Sequence, residues 1–180
     1  QLVLLTVPDD QLTDLVNGLA LDTGFAAGQY VVHCAGRFGL LPLLPAIDQG
    51  AVGLAIHPAM TLIGDDTDVR RLQNCPFAVT AALEYRPVAQ ALVIEMGGEP
   101  IWVDDADRTR YHAALTHAAN HLQTLIAQSE NELRAIGIAD PAQMLAPLTT
   151  SALENVLNSG FAALTGPVSV SYTHLRAHET

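Results

Sequence analysis

Short apolar runs alternate with amphipathic stretches through the first hundred residues. Residues 2–7, LVLLTV, form an apolar run that stops at Pro8-Asp9-Asp10. Such a run suits a strand covered on both faces, as in a parallel sheet flanked by helices. Asp9 or Asp10 can cap the next segment, where Leu12, Leu15, Val16 and Leu19 share one helical face before Gly24. Residues 30–34 predict a second strand, 40–47 a short helix and 51–56 a third strand, with 57–61, HPAMT, as the loop that follows. Strand, helix, strand, helix, strand is the signature of βαβ units in an α/β sheet.

Further on the pattern shifts. Residues 77–80 predict a strand, and 84–96 a helix with Pro87 tolerated near its first turn. Gly97-Gly98 stops that helix, and residues 101–103 read as an edge strand. The strongest helix runs over 107–136, roughly 45 Å at 1.5 Å per residue. Asp104 or Asp105 offers its cap and Gly137 its terminator. Two further helices are expected, one from Asp140-Pro141 and one over 147–158. The fold class is α/β with a mostly parallel sheet, followed by an all-α domain, with the boundary near Asp105.

Composition narrows the function classes. Of 180 residues, 49% are hydrophobic and 15% charged, enough to bury a core. The formal net charge of −11 argues against a nucleic-acid partner, which needs a basic face to displace phosphate counterions. No apolar run approaches the roughly 18 residues of a membrane span. All eight basic residues are Arg, so no lysine here can act as acid, base or Schiff-base former. Cys34 and Cys75 stand alone, which suits reduced thiols in a cytoplasmic protein. His117 and His121 are four apart, yet no Glu of an HExxH pattern and no third ligand accompany them, so no metal is expected. Asp65-Asp66-Thr67-Asp68 lacks the spacing of a calcium loop and reads as a solvated turn and helix cap.

The strings LVLLTVPDD, HCAG and IHPAMT, followed by GGEPIWV, YHAALTHAANHL and LTGPV, carry a resemblance in their order and spacing. Together they resemble Rossmann-like proteins whose helical C-terminal half is a domain of unknown function. These are akin to ketopantoate, 3-hydroxyisobutyrate and pyrroline-carboxylate reductases. The resemblance covers residues 2–168 and implies the C-terminal part of a Rossmann domain over 1–104 and part of a helical domain over 105–168. It implies NADP or NAD as cofactor, a small-molecule substrate and a possible homodimer through the helical domain. The family's glycine-rich turn, which grips the pyrophosphate at a helix N-terminus, has no counterpart: GxGxxG is nowhere in the chain. Either the chain is truncated ahead of Gln1 or the fold never bound a nucleotide. Residues 170–180, VSYTHLRAHET, resemble the translation of a sequencing adapter. A non-native tail over 169–180, and hence truncation at both ends, is expected.

Ligands of open α/β sheets sit beyond the carboxyl ends of the strands. The resemblance places Val7, Pro8, Asp9, Ala35 and Gly36 against the nicotinamide and its ribose. His57 closes the third strand beside Pro58. A histidine titrating near working pH can supply the proton that an alkoxide needs after hydride transfer. The His-Pro step also resembles one in prephenate dehydrogenases. On the long helix, Tyr111, Leu115, Ala118, Leu122 and Leu125 form an apolar stripe, flanked on one side by His112, Thr116, Asn120 and Gln123. The related reductases carry Lys and, four residues on, Asn on that helix; here Thr116 stands at the Lys position and Asn120 matches the Asn. The proton donor therefore falls to His57 or His112, with Asn120 orienting the substrate. Three readings follow: reduction of a small, ketopantoate-like keto acid in a cleft between the two domains, a prephenate-dehydrogenase-like oxidation, or a nucleotide-binding module without catalysis. Arg37 or Arg110 could supply charge for an anionic substrate.

Overall fold

The computed structural model describes residues 1–163, so the 169–180 tail and the LTGPV segment from Leu164 onward lie outside the described residues. The chain forms two compact units, Gln1–Asn120 and a second that begins at His121.

In the first unit β1 (Leu2–Leu5), α1 (Leu12–Asp22) and β2 (Tyr30–His33) lead through a 3-10 turn into α2 (Leu44–Ile47) and β3 (Val52–Pro58). Then follow α3 (Asp66–Arg71), β4 (Pro76–Ala81), α4 (Arg86–Glu95) and β5 (Glu99–Trp102). The sheet order is β1-β2-β3-β4-β5. The first three strands and the β4-β5 pair run parallel, while β3 and β4 are antiparallel. The mostly parallel sheet of the sequence reading is therefore present.

Successive strand residues point to opposite faces, and the central strand β2 sends Val31 to one core and Val32 to the other. Leu5, Val31 and Ala35 pack against Leu12 and Val16 of α1 and Ala46 of α2. Val32, Leu54, Ile56 and Val79 pack against Ala89 and Val93 of α4. Complete burial of such a side chain stabilises by about 1.5–3 kcal/mol.

Several local differences from the sequence reading have physical causes. His57 and Pro58 belong to β3 rather than to a loop, because they pair with Ala78 and Phe77 of β4. Pro58, which has no N–H to donate, ends the strand, and Ala59 N–H continues the ladder to the Pro76 carbonyl. Asp65 does cap, accepting from Thr67 N–H, but a six-residue helix follows it. Asp68 in that helix turns inward and accepts from the Ile63 and Gly64 amides. The long helix α5 (Arg108–Ala135) starts in the first unit and continues into the second. Gly137, with φ of +91°, ends it.

In the second unit α6 (Pro141–Ser159) follows, capped where Asp140 accepts from Gln143 N–H at 3.1 Å. It is one helix, not two. Pro147 lies inside it, and the Thr149 hydroxyl two residues on donates to the Leu145 carbonyl at 2.9 Å. No helix among the described residues is long and apolar enough to cross a membrane.

Candidate functional site

Arg108, the first residue of α5, is 1% exposed. Its Nε donates to Thr80 Oγ1 at 2.7 Å, and its Nη2 donates to the carbonyls of Ala55 and Ala78 at 2.8 and 3.0 Å. The helix is thereby nailed to the antiparallel β3-β4 pair. No carboxylate pairs with this cation among the described residues, and Nη1 is buried without a partner. Neutral carbonyl dipoles carry the charge instead, and burial depresses the pKa of the group below its usual value.

One turn on, helical spacing brings Tyr111 and His112 to the same side. The Tyr111 hydroxyl lies 2.9 Å from Nδ1 of His57. The His57 and His112 rings meet edge to face, with centroids 6.0 Å apart. Both press on Gly36: a Cβ there would lie 2.5 Å from His112 Nδ1 and 2.8 Å from His57 Nε2. Glycine is required at residue 36 because two imidazoles fill the space of a side chain.

The loop that carries Gly36 is itself clamped. His33, fully buried, accepts from Ala35 N–H at Nδ1 (3.1 Å), which leaves Nε2–H to donate to the Gly39 carbonyl at 2.7 Å. Asp105 accepts from Leu40 N–H at 2.8 Å, and its carboxylate occupies the place of a Gly39 side chain. The sequence reading expected Asp104 or Asp105 to cap the long helix, but Asp105 ties down this loop.

Burial, then His112, Arg108 and His33, lower the pKa of His57 from 6.5 to about 4. His57 is therefore neutral at neutral pH and does not titrate near it, contrary to the sequence reading. Burial lowers His33 as well and raises the Tyr111 phenol.

The residues expected to touch cofactor divide into groups. Val7, Asp9 and Ala35, with Thr6 and Cys34, line part of a largely apolar cavity of about 690 Å³ whose walls also include Phe77 of β4 and Leu92 of α4. Pro8 is exposed, while Gly36 is buried against the histidines. Asn120 is exposed on α5, eight residues or about 12 Å along the helix from His112. His57, His112 and Gly36 are brought together; Asn120 is not brought to them. Arg37 and Arg110 are exposed. No three His, Cys, Asp or Glu side chains gather as a metal site among the described residues.

Sequence reasoning missed Arg108, Tyr111 and His33. Tyr111 was read as part of an apolar stripe, and nothing in the string RTRYH marks Arg108 as buried. The signal for His33 is its place in HCAG, a polar residue at the carboxyl end of an apolar strand.

A mostly parallel sheet with a histidine-lined carboxyl edge, continued by long helices, is the arrangement of a Rossmann-like domain joined to a helical one. Residues 1–58 match the model of a Rossmann-like domain. Residues 75–170 match the family described as Domain of unknown function (DUF2520), and the chain belongs to that family. Among solved structures, protein TM1727 from Thermotoga maritima is 20% identical with a TM-score of 0.75, over 98% of this chain and 67% of that one. The 1-pyrroline-5-carboxylate reductase of Streptococcus pyogenes is 15% identical with a TM-score of 0.66, over 100% of this chain and 70% of that one. A reductive aminase from Aspergillus terreus, in complex with NADPH and ethyl levulinate, is 14% identical with a TM-score of 0.64, over 87% and 54%. These are likenesses of fold. No curated protein matches the chain.

Proposed function

We propose that the protein is an NAD(P)-dependent oxidoreductase that reduces a small carbonyl compound, with a ketopantoate-like 2-keto acid as the substrate class to test first. One observation carries this reading: His57 and His112 converge on Gly36 at the carboxyl ends of β2 and β3, the edge where open α/β sheets receive ligands. The fold neighbours support it, since one is a reductase by name and another was solved with NADPH.

The dinucleotide supplies the hydride when bound. Val7 and Ala35 offer apolar walls to a nicotinamide ring, and Asp9 can accept from its carboxamide. The residues present fit that ring; the GxGxxG grip for a pyrophosphate does not occur in the chain. His57 is neutral, so it stabilises charge growing on a substrate oxygen by hydrogen bonding rather than as an imidazolium. His112 closes the other side of the same spot. Asn120 reaches only a substrate with a second polar group about two turns along α5.

The test is titration of the full-length protein with NADPH and NADH, followed by cofactor oxidation with a panel of 2-keto acids. Binding and turnover are expected, with His57→Ala lowering kcat about 100-fold. Binding of neither dinucleotide ends this reading, and binding without turnover makes the protein a nucleotide-binding module. A neutral imidazole with an open nitrogen also suits proton abstraction, the prephenate-dehydrogenase-like oxidation. Turnover of oxidised cofactor with prephenate alone would favour that second reading.

A further inference from the structure

His57 has two ring nitrogens with different surroundings. Nδ1 meets the Tyr111 hydroxyl at 2.9 Å, across 54 residues of sequence. Nε2 faces Gly36 and has no hydrogen-bond partner among the described residues. We infer that Tyr111 is a positioning residue whose hydroxyl donates to Nδ1, fixing the neutral His57 ring with its proton on Nε2, the nitrogen presented to substrate. The inference rests on His57 being the group that meets substrate.

Two observations set the direction of that bond. The Tyr111 hydroxyl has no other acceptor among the described residues, so a bond donated by Nδ1–H would leave the phenol proton without a protein partner. The Arg108 guanidinium, buried without a carboxylate, sits 6.0 Å from the centre of the Tyr111 ring. A positive charge there polarises the O–H outward and makes the phenol a better donor and a poorer acceptor. His112 and His33 are the other titratable groups that act on His57.

A ring held with Nε2–H is a donor, which suits reduction of a carbonyl rather than oxidation of an alcohol. As the substrate oxygen gains the hydride's electron pair it takes the Nε2 proton. The Tyr111 proton passes to Nδ1 so that His57 stays neutral, and it returns to the phenolate beside Arg108 as water, leaving as hydroxide, reprotonates Nε2. No proton is lost or gained beyond the one delivered.

The experiment is nitrogen-detected histidine NMR on the protein and on Tyr111→Phe, with a pH titration of each. In the wild type His57 is expected as the Nε2–H form. A donor bond to Nδ1 favours the neutral ring, so Tyr111→Phe should mix the two tautomers and raise the His57 pKa by about half to one pH unit. An Nδ1–H form in the wild type, or a pKa unchanged or lowered in the variant, overturns the proposal. With a turned-over keto acid, Tyr111→Phe should lower kcat about tenfold or more while KM holds; a change in KM alone also overturns it. If no substrate is turned over but the NMR result stands, the reductase reading fails while the Tyr111 bond is upheld.

Discussion

Replacing His57 by Asn isolates the energetic consequence of burying an imidazole. The Asn amide can occupy the place of Nδ1 and keep the bond to Tyr111, but it does not titrate. In the wild type the folded pKa is about 4 against 6.5 for an unburied ring. Between those values the unfolded chain binds a proton that the folded one refuses, so stability rises with pH across this window. The contribution is intact above about pH 6.5 and is lost as pH falls toward 4. The whole gap corresponds to a ceiling of about 3.4 kcal/mol, which solvent at the partly exposed ring reduces to roughly 1.5–2 kcal/mol. The assay is urea unfolding at about pH 7 and about pH 5. The wild type is expected to lose about 1 kcal/mol more than His57→Asn over that interval. The buried His33 is present in both proteins and cancels from the difference. Equal acid sensitivity would refute the reasoning, because it would mean that His57 titrates as an ordinary surface histidine.

Gly36→Ala should destabilise the fold by about 1–3 kcal/mol, since its methyl would enter the space held by His112 Nδ1 and His57 Nε2; thermal denaturation measures the loss. Arg108→Met should cost about 3–5 kcal/mol in urea unfolding, because Thr80 and the Ala55 and Ala78 carbonyls lose their donor. Arg108→Lys should recover only part of that stability, as an ammonium lacks the planar fork. His33→Leu removes the two imidazole bonds to the 34–40 loop, leaves the Asp105 bond to Leu40, and should speed amide hydrogen exchange of Ala35 while α4 is unaffected.

The order of elements was legible because it rests on local patterns. The apolar run of residues 2–7, the Leu12-Val16 face and Gly137 each announce a strand, a helix face or a stop through their own neighbours in sequence. His57, His112 and Gly36 were nameable for the same reason: each stands at a strand end or on a helix face. Three-dimensional packing decided the rest. The antiparallel turn of β4 draws His57 and Pro58 into a strand and gives Arg108 the carbonyls that bury it. Tyr111 becomes a partner of His57 only because Arg108 anchors α5 one turn earlier, and no periodicity encodes a contact across 54 residues. The neutrality of His57 was equally invisible, since desolvation depends on every group packed around the ring. Sequence periodicity determines which face of each element is apolar; the tertiary structure determines which polar groups those faces enclose, and with that their protonation.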